Sequence, residues 1–129
     1  MQVAHLIGRL MFGLFFIYNG VGHFLRYKAM AGYAASKGIP FSGIAVVITG
    51  ILLVLGGSSL LLAFRPEVGI ALLALFLLPV TLTMHNFWAV ADPGARMIEM
   101  VNFTKNLALL GALLSLLGLP RPWPFALFR

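Results

Sequence analysis

Charged positions divide the chain into apolar blocks. Residues 38 to 64 carry no charged side chain, and neither do residues 68 to 91. Each block exceeds the roughly 20 residues a helix needs to cross about 30 Å of hydrocarbon. Residues 10 to 25 and 106 to 120 are also uncharged but shorter. They reach spanning length if Arg9 and Lys105 lie near their ends, where long basic side chains snorkel to the interface. The apolar runs do not alternate, which argues against strands. The pattern predicts an all-α membrane protein of one domain. Its architecture is an up-down-up-down bundle of four spans, at about 4–25, 43–64, 68–89 and 100–119.

The connections carry their own signals. Ala29 to Lys37 reads as a short interfacial helix at about 29–37, with Gly38 just past its end and Pro40 beyond. Arg65-Pro66-Glu67 allows only a tight turn, and Asp92-Pro93-Gly94 reads as a turn before the fourth span. The Pro120-Arg121-Pro122-Trp123-Pro124 run cannot continue a helix. Trp123 is expected in an interfacial belt, and His5 as an interfacial residue. Gly43, Gly50 and Gly57 recur every seven residues, so one face of the second span admits close approach of another helix. Pro79 lies mid-span in the third, where it removes a backbone donor, and Thr81 and Thr83 are placed to bond freed carbonyls.

Composition narrows the class further. The 129 residues are 61% hydrophobic and 9% charged, with a mean hydropathy of +1.03. Twelve charged residues, nine basic and three acidic, cannot cover a soluble fold, and so much apolar surface cannot stay disordered in water. Cysteine is absent, which excludes disulfides, thiolate metal sites and catalytic thiols. The net charge of +6 is scattered, so it reads as contact with lipid headgroups rather than nucleic acid. Side A, which holds the chain start and the 65–67 turn, carries Arg9, Arg65, Arg121 and Arg129. Side B carries Arg26, Lys28, Lys37, Arg96 and Lys105. This near balance fixes no orientation.

Polar residues within the spans cluster. Asn19 and His23 share a helix face at i, i+4. His85 ends the third span beside Asn86, with Thr81 and Trp88 on its face. Asn102, Lys105 and Asn106 open the fourth span. All fall in the side B half, where the 29–37 helix can cover them. Intramembrane polar groups face the interior and pair with one another. An interhelical hydrogen-bond cluster that fixes helix register is therefore one reading. The other is a pocket for the head group of a membrane-soluble ligand. Two imidazoles, amides and an ammonium suit a quinone, with Trp88 and Phe24 or Phe87 flanking the ring. Haem ligation by His23 and His85 requires imidazoles facing across one plane, which nothing in the pattern supports. A hard-metal site requires carboxylates. The three acids, Glu67, Asp92 and Glu99, all fall outside the expected spans, so no metal is expected.

Several segments together match a known pattern. These are Arg9-Leu10-Met11-Phe12-Gly13, Tyr18-Asn19-Gly20-Val21-Gly22-His23-Phe24, Met30-Ala31-Gly32-Tyr33-Ala34-Ala35-Ser36-Lys37-Gly38-Ile39-Pro40, Leu55-Gly56-Gly57, His85-Asn86-Phe87-Trp88 and Lys105-Asn106-Leu107-Ala108-Leu109-Leu110-Gly111. The series resembles the DoxX family of small four-helix membrane proteins, from about residue 6 to 118. The resemblance implies a prokaryotic cytoplasmic-membrane location and an association with redox complexes. Together with the polar cluster this points to a quinone-linked membrane subunit; the alternative, read from the lack of extramembrane domains, is a non-catalytic accessory subunit of a respiratory or photosynthetic complex. In the second case the chain packs against helices, lipids or pigments. Two departures from the family stand out. Leu53 takes the place of an expected acid in the second span, and Arg26-Tyr27 replaces an Asn-Pro after the first.

Overall fold

The computed structural model describes residues 1–127; Arg129, counted above with side A, lies outside the described residues. Five helices follow in order: α1 (Gln2–Leu25), α2 (Tyr27–Ser36), α3 (Ser42–Leu62), α4 (Pro66–Met84) and α5 (Pro93–Ser115). Single 3₁₀ turns occupy Phe87–Ala89 and Leu116–Gly118. Helices α1, α3, α4 and α5 are long and apolar enough to cross a membrane. The short α2 joins the first two spans at side B, and there is no strand among the described residues.

The glycines of α3 set its contact with α1, the most extensive in the fold. A Cβ added at Gly57 would meet Gly13 O at 2.8 Å and Ile17 N at 3.0 Å, and one added at Gly50 would meet His23 and Phe24. Only glycine lets the two backbones come this close. α3 then packs on α4, and α4 on α5. The core runs through Phe16, Leu53, Leu60, Leu73, Leu77 and Leu113. Elsewhere the helices present Leu, Ile, Val and Phe outward, as lipid-facing surfaces do.

Several expectations need correction. The third span reaches Ala89 as expected, but its α-helix, α4, ends at Met84 with His85 as C-cap residue. Trp88 therefore leaves the helical face it would have shared with Thr81 and His85. The fourth span was expected from 100, yet α5 starts at Pro93. Asp92 is its N-cap, with Oδ2 accepting from Ala95 N at 2.8 Å. An Asp-Pro-Gly run is both a turn signal and a cap followed by proline at the first helical position. The earlier start places Glu99 inside a membrane helix, so the expectation of no acid within a span fails. Thr81 Oγ1 bonds Leu77 O at 2.5 Å and Thr83 Oγ1 bonds Pro79 O at 2.8 Å. Each takes its own i−4 carbonyl rather than that of Leu75, the one freed by Pro79.

Side A differs most from expectation. Arg9 does not extend away from the bundle: it is 6% exposed. Its Nη1 donates to Pro124 O at 2.8 Å and its Nη2 to Phe125 O at 3.2 Å. The tail is thereby drawn over the bundle end. Trp123 is 3% exposed and belongs to the core rather than to an interfacial belt. His5 meets its ring edge-on at 5.0 Å between centroids.

Candidate functional site

A cavity of about 420 Å³ occupies the side B half of the bundle. α1 contributes Phe16, Asn19 and His23; α3 contributes Val46, Thr49 and Leu53; α4 contributes Leu77 and Pro79. His85 stands at the end of α4, and α5 adds Lys105, Asn106 and Leu109. Met30, Tyr33 and Ala34 of α2 cover the space. Most of this wall is aliphatic or aromatic, and Phe76 meets His23 at 6.0 Å between ring centroids.

His23 is 8% exposed. Its Nδ1 lies 3.1 Å from Val46 O and 3.0 Å from Thr49 Oγ1. A carbonyl oxygen only accepts, so Nδ1 carries the proton. Thr49 donates its own hydroxyl proton to Ala45 O at 2.7 Å, which frees its lone pairs to receive Nδ1–H. In the neutral ring Nε2 is then an acceptor, and it has no protein partner among the described residues. Asn106 is 7% exposed, lines the cavity and has no side-chain hydrogen bond among the described residues. Its amide offers a donor and an acceptor there. Asn19 Nδ2 is spent on Phe15 O at 2.7 Å, leaving its oxygen available. Lys105 Nζ donates to Asn102 Oδ1 at 3.3 Å.

A second polar group lies at the mouth, under α2. Glu99 Oε2 accepts from His85 Nδ1 at 2.7 Å, and Glu99 Oε1 accepts from Tyr33 Oη at 2.7 Å. Lys37 Nζ stands 4.0 Å from Glu99 Oε1 and donates to Asn86 Oδ1 at 3.4 Å. Burial, and then the hydrogen bond to Glu99, push the Tyr33 phenol up to about 12. The group ties α2 to both α4 and α5.

Of the residues singled out in the sequence, Asn19, His23, His85, Lys105 and Asn106 line one cavity. Asn86, Asn102 and Trp88 do not. Asn86 serves as acceptor to Lys37, and Asn102 as acceptor to Lys105. Trp88 is 57% exposed and packs on Phe87 and Phe103. Phe24 packs at Gly50 rather than around the cavity. Sequence reasoning missed Thr49, Tyr33 and Glu99. Thr49 was findable, because it sits one residue before Gly50 on the face that meets α1. Tyr33 and Glu99 needed the correct start of α5.

Four apolar helices with a short helix between the first two define a multi-pass membrane protein. The chain belongs to the DoxX family, whose profile matches residues 4–86. It is 28% identical over 127 residues to "Inner membrane protein YphA" of Escherichia coli (strain K12), covering 98% of this chain and 89% of that protein. It is thus a multi-pass protein of the inner membrane. No solved structure matches it.

Proposed function

We propose that this chain is a DoxX-type membrane subunit that holds the head group of a quinone in the side B cavity and serves a redox complex. The observation that carries the reading is a pair of buried polar side chains with unspent hydrogen-bonding capacity in one apolar cavity: Asn106 and His23 Nε2. Ligand pockets are mostly apolar, of about 300–1,000 Å³, with a few placed polar groups that fix orientation. The cavity volume of about 420 Å³ lies in this range. The Asn106 amide suits a quinone carbonyl as donor and a quinol hydroxyl as acceptor. His23 Nε2 suits the proton of a quinol hydroxyl. His85 is a second proton-exchanging group, and Lys105 stabilises negative charge developing on the ring oxygens. Electrons come from a partner protein, since this chain brings no thiol pair to the exchange.

Titration calorimetry of the purified protein in neutral detergent tests the reading, with short-tailed ubiquinone and menaquinone analogues in oxidised and reduced form. The expected result is saturable binding to one site, weakened about tenfold or more in Asn106→Leu with helix content unchanged, as loss of a buried hydrogen bond implies. Absence of saturable binding to every one of these analogues would overturn it.

A second reading is a non-catalytic accessory subunit. It is favoured by Leu53, fully buried in the core where the family resemblance implies an acid. Under that reading, deletion of the chain disrupts assembly of the larger complex while leaving the turnover of each assembled complex unchanged.

A further inference from the structure

The side A half contains a different kind of site. A cavity of about 370 Å³ lies between the start of α1 and the end of α5. His5, Arg9 and Trp123 line it, and so do the apolar Phe12, Leu60 and Leu116. Each of the three polar residues has a buried nitrogen with no hydrogen-bond partner among the described residues: His5 Nε2, Arg9 Nε and Trp123 Nε1. Buried polar nitrogens are rarely left unpaired, because each loses its hydration without a replacement.

Arg9 reaches two neutral carbonyls but pairs with no carboxylate among the described residues. The acid of this side, Glu67, is engaged by Arg121. Arg9 lies seven residues after Gln2 in α1, about 10 Å along the helix axis at 1.5 Å per residue. A buried guanidinium at that depth needs a counter-charge. Water satisfies a donor but does not supply that charge.

We infer that side A binds an oxyanion carried on an apolar body, such as an anionic lipid phosphate or a fatty carboxylate. Arg9 Nε–H and Trp123 Nε1–H are donors only, so the group they await is an acceptor. The guanidinium selects an anion, and Phe12, Leu60 and Leu116 select an apolar attachment. The site is separate from the side B cavity and does not depend on its ligand.

Trp123 provides the readout. The chain has two tryptophans, so a Trp88→Phe background leaves Trp123 as the sole indole. Its emission is followed in delipidated protein held in maltoside detergent, during titration with phosphatidylglycerol, oleate, phosphatidylcholine or inorganic phosphate. Saturable change with phosphatidylglycerol identifies the lipid phosphate, and with oleate the fatty carboxylate; either supports the site. Arg9→Gln should weaken that response about tenfold or more. Since Arg9 also holds the tail, Gly8→Phe is the second variant. A Cβ at Gly8 meets nothing within 4 Å and Gly8 lines the cavity, so the ring fills the space and leaves the charge in place. Loss of the response in Gly8→Phe with an unchanged size-exclusion profile supports the site. Saturation by phosphatidylcholine to the same extent overturns it. So does a response to inorganic phosphate alone, or an unaltered response in Gly8→Phe.

Discussion

At side B, polar groups answer one another across helices. Glu99 of α5 receives His85 from the end of α4 and Tyr33 from α2, with Lys37 close by. At side A, among the described residues, a buried arginine meets only backbone carbonyls, and three buried nitrogens have no partner. Both ends bury polar atoms, but among the described residues the side B acid Glu99 binds the groups around its cavity, whereas the side A acid Glu67 is engaged by Arg121 and not by Arg9. Polar burial therefore has two meanings here. On side B it links elements and leaves His23 Nε2 and Asn106 as the spare capacity. On side A it leaves a surplus of donors and positive charge, which is a demand for something outside the chain.

The largest expected way to break this contrast is Trp123→Ala. Truncating a fully packed tryptophan costs about 3–5 kcal/mol. The loss should appear as a lower midpoint in detergent-induced unfolding, with the 120–127 tail freed for proteolysis. Hydrogen exchange in α2 should stay unchanged, because α2 sits at the other end. Glu99→Ala is the mirror experiment. Removing an acceptor of charge-assisted bonds costs about 1.5–3 kcal/mol, seen as faster exchange across residues 27–36 with the tail still protected. If both variants loosen both ends equally, the two halves are one cooperative unit and the contrast collapses.

Asp92→Ala sharpens the side B half alone. Loss of an N-cap costs about 1 kcal/mol and should fray the first turn of α5. Exchange at residues 93–96 rises first, and the anchoring of α2 weakens because Glu99 rides on that helix. The smallest effect belongs to Tyr33→Phe, at about 1 kcal/mol for one hydrogen bond. The sign of its pH dependence follows from a folded pKa of about 12 above the ordinary 10. The stabilisation is complete below the ordinary value and disappears as pH rises through about 12. Spectrophotometric titration should show a late phenolate component in the parent protein that Tyr33→Phe removes.

Most of the architecture was readable because charges mark membrane boundaries. Arg65 and Glu67 bracket the turn between α3 and α4, and the Gly43, Gly50 and Gly57 series marks the face that α1 and α2 cover. The polar residues at the cavity were partly readable for the same reason. Asn19 and His23 lie within one helix, so a 3.6-residue period suffices to place them together. Trp88 was misplaced because the period was carried past Met84, where the helix has already stopped. Glu99 was overlooked because Asp92-Pro93 served as a cap where a turn had been expected. Arg9 was beyond local reasoning. Its acceptors lie 115 and 116 residues later in the chain, and no periodicity connects them.

That separation bears on biosynthesis. α1 is made before the other three spans, and its Arg9 is made before the tail carbonyls that accept from it. The carbonyls of Pro124 and Phe125 exist only after the other three spans have been made. Insertion and final packing of α1 are therefore distinct events, divided by the synthesis of the 115 residues that separate Arg9 from Pro124. Until the tail arrives, the guanidinium must be kept by water, by headgroups or by the insertion machinery. A nascent chain stalled before residue 124 should hold α1 at a shallower depth than the finished protein does.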